Sequence, residues 1–163
     1  MTDTSLQQKL RATLHECVLH RKRMSHAHGK IAAFLPATAD ALENLTAEQV
    51  ETLDSYLYRF TKLQDTMGHR LFPQTLQLLA EDTSAMAFID QLNRLEQLGA
   101  LPSAQQWLDL RELRNTLAHQ YTDDQEQLLE AVQLAFETFE PIDQIYNQII
   151  GYIASHDQRV VSD

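Results

Sequence analysis

Residues 46–67 read TAEQVETLDSYLYRFTKLQDTM, and this stretch indicates the fold class. Thr46 and Gln49 have the spacing of a capping box, in which each side chain hydrogen-bonds the other residue's backbone N–H at a helix N-terminus. Apolar side chains then recur every three or four residues, at Val50, Leu53, Leu57, Phe60, Leu63 and Met67. This period predicts one long amphipathic helix with a single apolar face.

The same period recurs elsewhere in the chain, whereas alternating runs of Val, Ile and Thr are scarce. It predicts further helices over residues 5–34, over residues 83–98, from Pro102 towards His119, and from about residues 122–124 onwards. The segment between the first helix and Leu45 is expected to be a loop. We therefore predict an all-α protein, an up-and-down bundle of about four to six helices. We expect a single domain over residues 1–163, with a basic N-terminal helix and loop (1–45) and a bundle over 46–155.

Glycine and proline mark the expected helix ends and bends. Gly68 and Pro73 are expected to interrupt or kink the helix that begins near Thr46. Gly99 is placed as the residue that ends the helix over residues 83–98, whose apolar face comprises Met86, Ile89, Leu92 and Leu95. The next helix opens at Pro102 with a Ser103/Gln106 capping box and carries Trp107 as an expected core anchor. Pro141 is expected to bend the last helix, because it removes one backbone donor.

Composition restricts the function classes. The chain has 163 residues, 44% of them hydrophobic, and a single cysteine, Cys17, which excludes an internal disulfide and a CxxC-type zinc site. Residues 1–11 lack the apolar segment of a signal peptide, and no apolar run is long enough to cross a membrane. We therefore expect a cytoplasmic protein that does not associate with membranes.

The charge distribution is uneven. The formal net charge of −10 argues against non-specific coating of nucleic acid by the whole surface, yet six of the thirteen basic residues lie in the first thirty positions. Arg21, Lys22, Arg23 and Lys30 are candidate contacts for RNA phosphates. The alternative is that they form a solvated basic helix face.

The same segment contains four histidines close to Cys17. His15-Glu16 begins like the H-E-x-x-H metal motif, but His20 comes one position too late to share a helix face with His15. His26 and His28 have no metal-ligand spacing with Cys17 or His20. We therefore predict no metal site.

The most informative motif is at residues 111–121, RELRNTLAHQY. It resembles the R-x-x-x-x-H-x-Y motif of HEPN-domain proteins, in particular the HepT-like ribonuclease toxins. Arg114, His119 and Tyr121 match the three fixed positions, and Asn115 matches the polar residue that usually follows the arginine. Residues 88–102 and 107–114 resemble the helix pair that leads to the motif, and the pattern covers about residues 46–150. Residues 1–45 resemble no family that we can name.

These residue types suit RNA cleavage. His119 is the candidate acid/base, because histidine exchanges protons near neutral pH. Arg114 is the candidate for binding the phosphate, whose negative charge grows in the transition state, and Asn115 is a candidate for orienting the phosphate or the histidine. Residues five apart in an unbroken helix point about 140° away from each other, so Arg114 and His119 converge only at a helix end or across a dimer.

The resemblance implies further properties. Two copies would pair so that both motifs line one cleft, and the substrate's own 2′-hydroxyl would attack, leaving a 2′,3′-cyclic phosphate without any cofactor. The partner would be a nucleotidyltransferase antitoxin that adds AMP to Tyr121. A bulky anion two residues from His119 would repel the RNA phosphate and so neutralise the toxin.

Each residue also has a structural alternative. Arg114 could pair with Asp109, Glu112 or an acid of the last helix, His119 could interact with a helix dipole, and Asn115 could be a local hydrogen-bonding residue. Tyr121 could be an aromatic residue at the edge of the core. The chain as a whole could then be a non-catalytic adaptor that binds a nucleotidyltransferase, or a helical dimerisation module.

Overall fold

The computed structural model describes residues 4–118 and 124–162, which form an all-α helical bundle, as predicted. The helices are α1 (Thr4–Ile31), α2 (Ala39–Glu43), α3 (Ala47–Thr66), α4 (Phe72–Leu78), α5 (Phe88–Gln97), α6 (Ala104–Ala118), α7 (Gln125–Glu137), α8 (Phe139–His156) and α9 (Gln158–Val161). A π-turn at Met67–Leu71 joins α3 to α4. Among the described residues, no helix combines the length and apolar character that a membrane span requires.

Within residues 46–67, residues 47–66 form α3, and the predicted capping box at its start is confirmed. The Gln49 backbone N–H donates to Thr46 Oγ1 (3.2 Å), and the Thr46 N–H donates to Gln49 Oε1 (2.9 Å). The predicted apolar face is buried except at its first position, since Val50 is 41% exposed. α1 packs antiparallel to α3. The contacts of Glu16 with Thr66 and of His20 with Arg59 show this direction.

The helix does not break at Gly68 and Pro73. Instead, the backbone widens into the π-turn and continues directly into α4, where Pro73 lies in the first turn. In this turn the Phe72 N–H donates to the Met67 carbonyl, five residues back. A π-turn accommodates the proline within a helical backbone, an arrangement that the sequence pattern does not distinguish from a break.

The predicted helix over residues 83–98 is shorter than expected. Asp82 accepts hydrogen bonds from the Ser84 N–H and hydroxyl, Ala87 is extended, and the helix begins only at Phe88. Such local side-chain bonds compete with a helix start. Of the predicted apolar face, Leu92 and Leu95 are buried, but Ile89 is 42% exposed. The predicted end is confirmed, because Gly99 has φ +77°, a conformation that favours glycine.

The predicted core role of Trp107 is confirmed. α6 begins where expected, with the Gln106 N–H donating to Ser103 Oγ (3.1 Å). Trp107 is 1% exposed, and its ring meets Phe72 edge-on at 4.5 Å between ring centroids. A Cβ added at Gly68 would lie 3.4 Å from the Trp107 ring, so the π-turn approaches this side chain closely.

The one bent helix predicted from about residues 122–124 onwards is instead divided into two helices, α7 and α8. The break is at Thr138, between α7 and α8, and Pro141 lies in the first turn of α8. Proline is tolerated there because the N–H groups of a first turn have no partner within the helix. The predicted loop before Leu45 also differs, since it contains the short helix α2, capped by Thr38.

A buried hydrogen bond connects α3 to α7. Tyr56 is 1% exposed, and its hydroxyl donates to the Ala135 carbonyl at 2.7 Å. We predict that Tyr56→Phe lowers the free energy of unfolding by about 1 kcal/mol, because it removes one buried hydrogen bond with little change in packing. The measurement is urea unfolding followed by circular dichroism.

The matched control is Tyr58→Phe, since Tyr58 is 53% exposed and two residues away on the same helix. This control should change the free energy of unfolding by less than about 0.5 kcal/mol. Equal effects of the two substitutions would show that the Tyr56 hydroxyl does not stabilise the contact between α3 and α7.

Candidate functional site

Arg114 and Asn115 lie side by side in the last turns of α6. Arg114 Nη2 donates to Asp65 Oδ2 at 3.0 Å, and Arg114 Nη1 donates to Asn115 Oδ1 at 3.2 Å. The Arg114 and Asp65 side chains are about one-third exposed. The partner of Arg114 is therefore an acid of α3, which was not among the acids that the sequence suggested. His119 and Tyr121 lie outside the described residues.

A small polar cavity adjoins this pair, between the end of α3, the π-turn and α6. Its volume is about 90 Å³. It is lined by Gln64, Asp65, Gly68, His69, Phe88, Trp107, Arg111, Arg114 and Asn115. We call it the Arg114 cavity. Its lining includes the two predicted residues of α6 and three polar side chains from the residues in and just before the π-turn.

Two features of the sequence bring these residues together. Trp107, Arg111 and Arg114 follow one another at intervals of four and three residues, so they share one face of α6. Because Trp107 is buried against the π-turn, that face points at α3. Arg111 lies over the Phe88 ring, with Cζ 4.7 Å from the ring centroid.

Sequence reasoning missed four polar residues of this cavity as site residues: Gln64, Asp65, His69 and Arg111. Three of them lie in or just before the segment that was expected to kink. Arg111 is the first residue of the quoted motif segment, and its spacing from Trp107 was the one available signal for its direction.

A second candidate surface is the open groove between α1 and α3, of about 670 Å³. Its basic and histidine side chains are Lys22, Arg23, His26, Lys30 and Arg59, and its acidic ones are Glu48 and Glu51. We call it the basic groove. Three of the four predicted RNA contacts thus share one surface. Arg59 joins them from α3 and was not predicted.

The fourth predicted contact, Arg21, lies elsewhere. Its Nε donates to Asp143 Oδ1 at 2.7 Å, and its guanidinium stacks on the Tyr146 ring at 4.0 Å from the centroid. Both partners belong to α8. Arg21 therefore connects α1 to α8 through an ion pair and a cation–π contact, and the acidic partner offsets its charge.

The basic groove and the Arg114 cavity open on different sides of α3. Arg59 of the groove and Gln64 of the cavity are five residues apart, which rotates them about 140° around the helix. The groove faces along α1, whereas the cavity faces α6. Within one chain, an RNA strand that contacts both must therefore pass around α3.

The histidines near Cys17 have separate surroundings. His28 stacks on Phe136 at 4.1 Å and on Phe139 at 4.6 Å between ring centroids. Cys17 is buried, and burial raises the pKa of its thiol to about 12. In the part of the chain that the structure describes, no three His, Cys, Asp or Glu side chains are placed to hold a metal ion.

Comparisons with protein-family models, with curated proteins and with solved structures give no match for this chain. The assignment of a function therefore rests on the residues and on their arrangement.

A polar network lies beside the basic groove, between α1 and α3. His20 is 6% exposed and contacts Glu16 Oε1 through Nε2 (3.4 Å) and Arg59 Nη1 through Nδ1 (3.0 Å). Glu16 also accepts from Thr66 and Arg70, and the bond from Arg70 holds the pKa of Glu16 below its ordinary value. Burial lowers the pKa of His20, although the bond to Glu16 opposes this shift.

We predict that His20 makes the fold less stable in mild acid. As the pH falls from about 7 to 5, the unfolded chain binds a proton at His20 more readily than the folded chain does, so the free energy of unfolding decreases. His20→Gln should reduce this pH-dependent loss. The measurement is urea unfolding at pH 7 and pH 5.

His26→Gln is the control, because His26 is exposed on the same helix and should leave the pH dependence as it is. An unchanged loss of stability between pH 7 and pH 5 in His20→Gln would refute the assignment to His20.

Proposed function

We propose that this chain is a metal-independent endoribonuclease of the HEPN type, the toxin of a toxin–antitoxin pair. The observation that supports the proposal is that Arg114 and Asn115 both line a polar cavity, with their side chains hydrogen-bonded to each other. An arginine and an amide side by side can contact two oxygens of one phosphate.

The reaction needs one base, one acid and one positive charge. His119 would take the proton from the ribose 2′-hydroxyl as its oxygen attacks phosphorus, and a proton would return to the 5′-oxygen as the P–O5′ bond breaks. The products are a 2′,3′-cyclic phosphate and a 5′-hydroxyl. Arg114 would stabilise the negative charge that grows on the phosphate oxygens, and Asn115 would help to orient them.

The partners in this proposal are RNA, a second copy of the chain and a nucleotidyltransferase antitoxin, in the cytoplasm. Addition of AMP to Tyr121 would place a bulky anion two residues from His119, where it repels the RNA backbone. Pairing of two chains would bring a second motif to the cleft, which gives His119 and Arg114 a way to converge.

The basic groove would bind the RNA backbone away from the cleaved bond. Lys22, Arg23 and Lys30 are exposed there, and Arg59 adds a fourth positive charge against Glu48 and Glu51. A local excess of positive charge attracts phosphates even on a chain whose net charge is −10.

We predict that the purified protein cleaves a structured RNA in EDTA and leaves 2′,3′-cyclic phosphate ends. His119→Ala and Arg114→Ala should abolish this cleavage while circular dichroism still shows a helical fold, because one removes the acid/base and the other the positive charge. Fragment ends are identified by their sensitivity to a cyclic phosphodiesterase.

His156→Ala and Arg94→Ala are matched controls. His156 is exposed on α8, and Arg94 pairs with Glu81 away from the cavity, so both variants should cleave like the wild type. His69→Ala tests the second histidine at the cavity. If His69→Ala abolishes cleavage and His119→Ala does not, the acid/base role belongs to His69.

The ion pair between Arg114 and Asp65 favours one alternative. In it, Arg114 serves the packing of α6 on α3, and the chain is a non-catalytic partner of a nucleotidyltransferase. Folded wild-type protein that leaves RNA intact, and that does not inhibit growth when expressed alone, would support this alternative and contradict the nuclease.

A separate prediction concerns the basic groove. Replacing Lys22, Arg23 and Lys30 together by Gln should reduce the slope of log affinity against log salt for single-stranded RNA by about 2, because each lost phosphate contact contributes about 0.7. The measurement is a salt series of fluorescence-anisotropy titrations in the His119→Ala background, which keeps the RNA intact.

The control is Arg21→Gln, which removes one neighbouring positive charge that is already paired with Asp143. It should leave the slope within experimental error of the parent protein. A slope that the triple substitution leaves unchanged would exclude the groove as the RNA-binding surface.

A further inference from the structure

One exposed aromatic side chain of α3 lines neither the basic groove nor the Arg114 cavity. Tyr58 is 53% exposed, although it lies in the middle of the helix and the two neighbouring aromatic residues, Tyr56 and Phe60, are buried. A single exposed ring is common on protein surfaces. The side chains around Tyr58 therefore have to indicate whether this ring binds something.

Two cationic side chains flank the Tyr58 ring. Arg59 Cζ lies 5.2 Å from the ring centroid and Lys62 Nζ lies 5.5 Å from it, within the range of cation–π attraction. Both distances are longer than the 4.0 Å between Arg21 Cζ and the Tyr146 centroid, so neither cation packs as closely on the ring. The Tyr58 ring thus has positive charge beside it and stays accessible to solvent.

No acidic side chain among the described residues neutralises these two charges. None of the ion pairs between described residues involves Arg59 or Lys62. Arg59 Nη1 contacts His20 Nδ1 at 3.0 Å, and because a guanidinium only donates, the histidine nitrogen is the acceptor. This bond holds Arg59 in place without cancelling its charge. The exposed Asp54 lies one turn before Tyr58, whereas both cations follow Tyr58.

Tyr58 lies between the two candidate surfaces. Tyr58, Lys62 and Asp65 are four and three residues apart, so they share one face of α3. Arg59 belongs to the basic groove on one side of this face, and Asp65 binds Arg114 on the other. From Tyr58 to Asp65 the helix rises by about 10 Å. A strand that passes around α3 from the groove to Arg114 therefore crosses Tyr58 and Lys62.

The surroundings of Tyr58 favour a nucleic-acid base over a protein partner. The core of a protein interface is apolar and poor in charged residues, whereas the exposed neighbours of Tyr58 include Asp54, Ser55 and Lys62. The other exposed large hydrophobic residue of α3, Val50, is about 12 Å away along the helix axis. Single-stranded nucleic acid stacks its bases on such isolated rings and binds nearby cations through its backbone.

We infer that Tyr58 stacks a base of single-stranded RNA and that Lys62 binds the adjoining phosphate, between the basic groove and Arg114. The identification of the strand as RNA rests on the proposed function. The stacking itself does not require cleavage, and it uses the face of the ring, so the tyrosine hydroxyl is not needed for it.

The experiment measures the binding of two ligands by fluorescence anisotropy, with the full chain carrying His119→Ala as the parent protein. One ligand is a decauridylate RNA, and the other is an abasic ribose-phosphate strand of the same length. Tyr58→Ala should weaken binding of the RNA by about fivefold to hundredfold, because it removes the stacking of one base. The same variant should bind the abasic strand like the parent protein, and Tyr58→Phe should bind both ligands like the parent.

Lys62→Gln should behave differently from Tyr58→Ala. It should weaken binding of both ligands by similar factors and lower the slope of log affinity against log salt by about 0.7, because both strands have the phosphate that it contacts. The matched controls are Tyr152→Ala on α8 and Lys9→Gln on α1, since neither residue lines the basic groove. Both controls should bind the two ligands like the parent, and circular dichroism checks that every variant is folded.

Equal losses for the two ligands in Tyr58→Ala, no loss for either, or no RNA binding by the parent would overturn this inference. Size-exclusion chromatography tests the protein alternative. If Tyr58→Ala converts a dimer to a monomer and leaves the RNA affinity unchanged, the ring belongs to a contact between copies of the chain, and the inference is wrong.

The proposed function fails separately. RNA binding with the expected variant effects, but no cleavage by the protein that retains His119, would overturn the nuclease and leave the stacking of a base on Tyr58 intact. Cleavage whose kcat/KM is the same in Tyr58→Ala as in the wild type would overturn the stacking alone.

Discussion

The packing of Trp107 against the π-turn is the contact on which the candidate site depends. The indole is buried beside Phe72 and Gly68, which holds α6 close to the junction of α3 and α4. Arg111 and Arg114 lie on the same face of α6 as this anchor, so they must point at the end of α3. The ion pair with Asp65 and the cavity beside it follow from that orientation.

Local signals in the sequence predicted the fold well where one residue pair determines the structure. The Thr46/Gln49 capping box and Gly99 act through their own neighbours, so both are present as predicted. The predicted start of α5 was wrong because the hydrogen bonds from Ser84 to the Asp82 side chain compete with a helix start. The bend predicted at Pro141 was misplaced, since the helix boundary lies at Thr138. In the sequence, a proline in the first turn of a helix looks like a proline in the middle of one.

The candidate site was less predictable, because its residues come together only through tertiary packing. The motif indicated Arg114 and Asn115, but neither Asp65 nor Gln64 carries a signal that marks it as their neighbour. Likewise, three consecutive basic positions of α1 look alike in the sequence, and only the fold separates Arg21, which pairs with α8, from the exposed Lys22 and Arg23. The sequence without the fold does not show which of these positive charges is already paired with an acidic side chain.

The π-turn also determines how the side chains of α4 are oriented relative to those of α3. A π-turn is equivalent to one extra residue in an α-helix, so every side chain after Leu71 is rotated by about 100° compared with an unbroken helix. This rotation lets Phe60 and Leu63 before the turn, and Leu76 after it, all face the core. The number of residues between α3 and α4 therefore determines which side of α4 faces the core. Loss of a single residue there would turn the apolar side of α3 or of α4 away from the core, although the segment would still be helical.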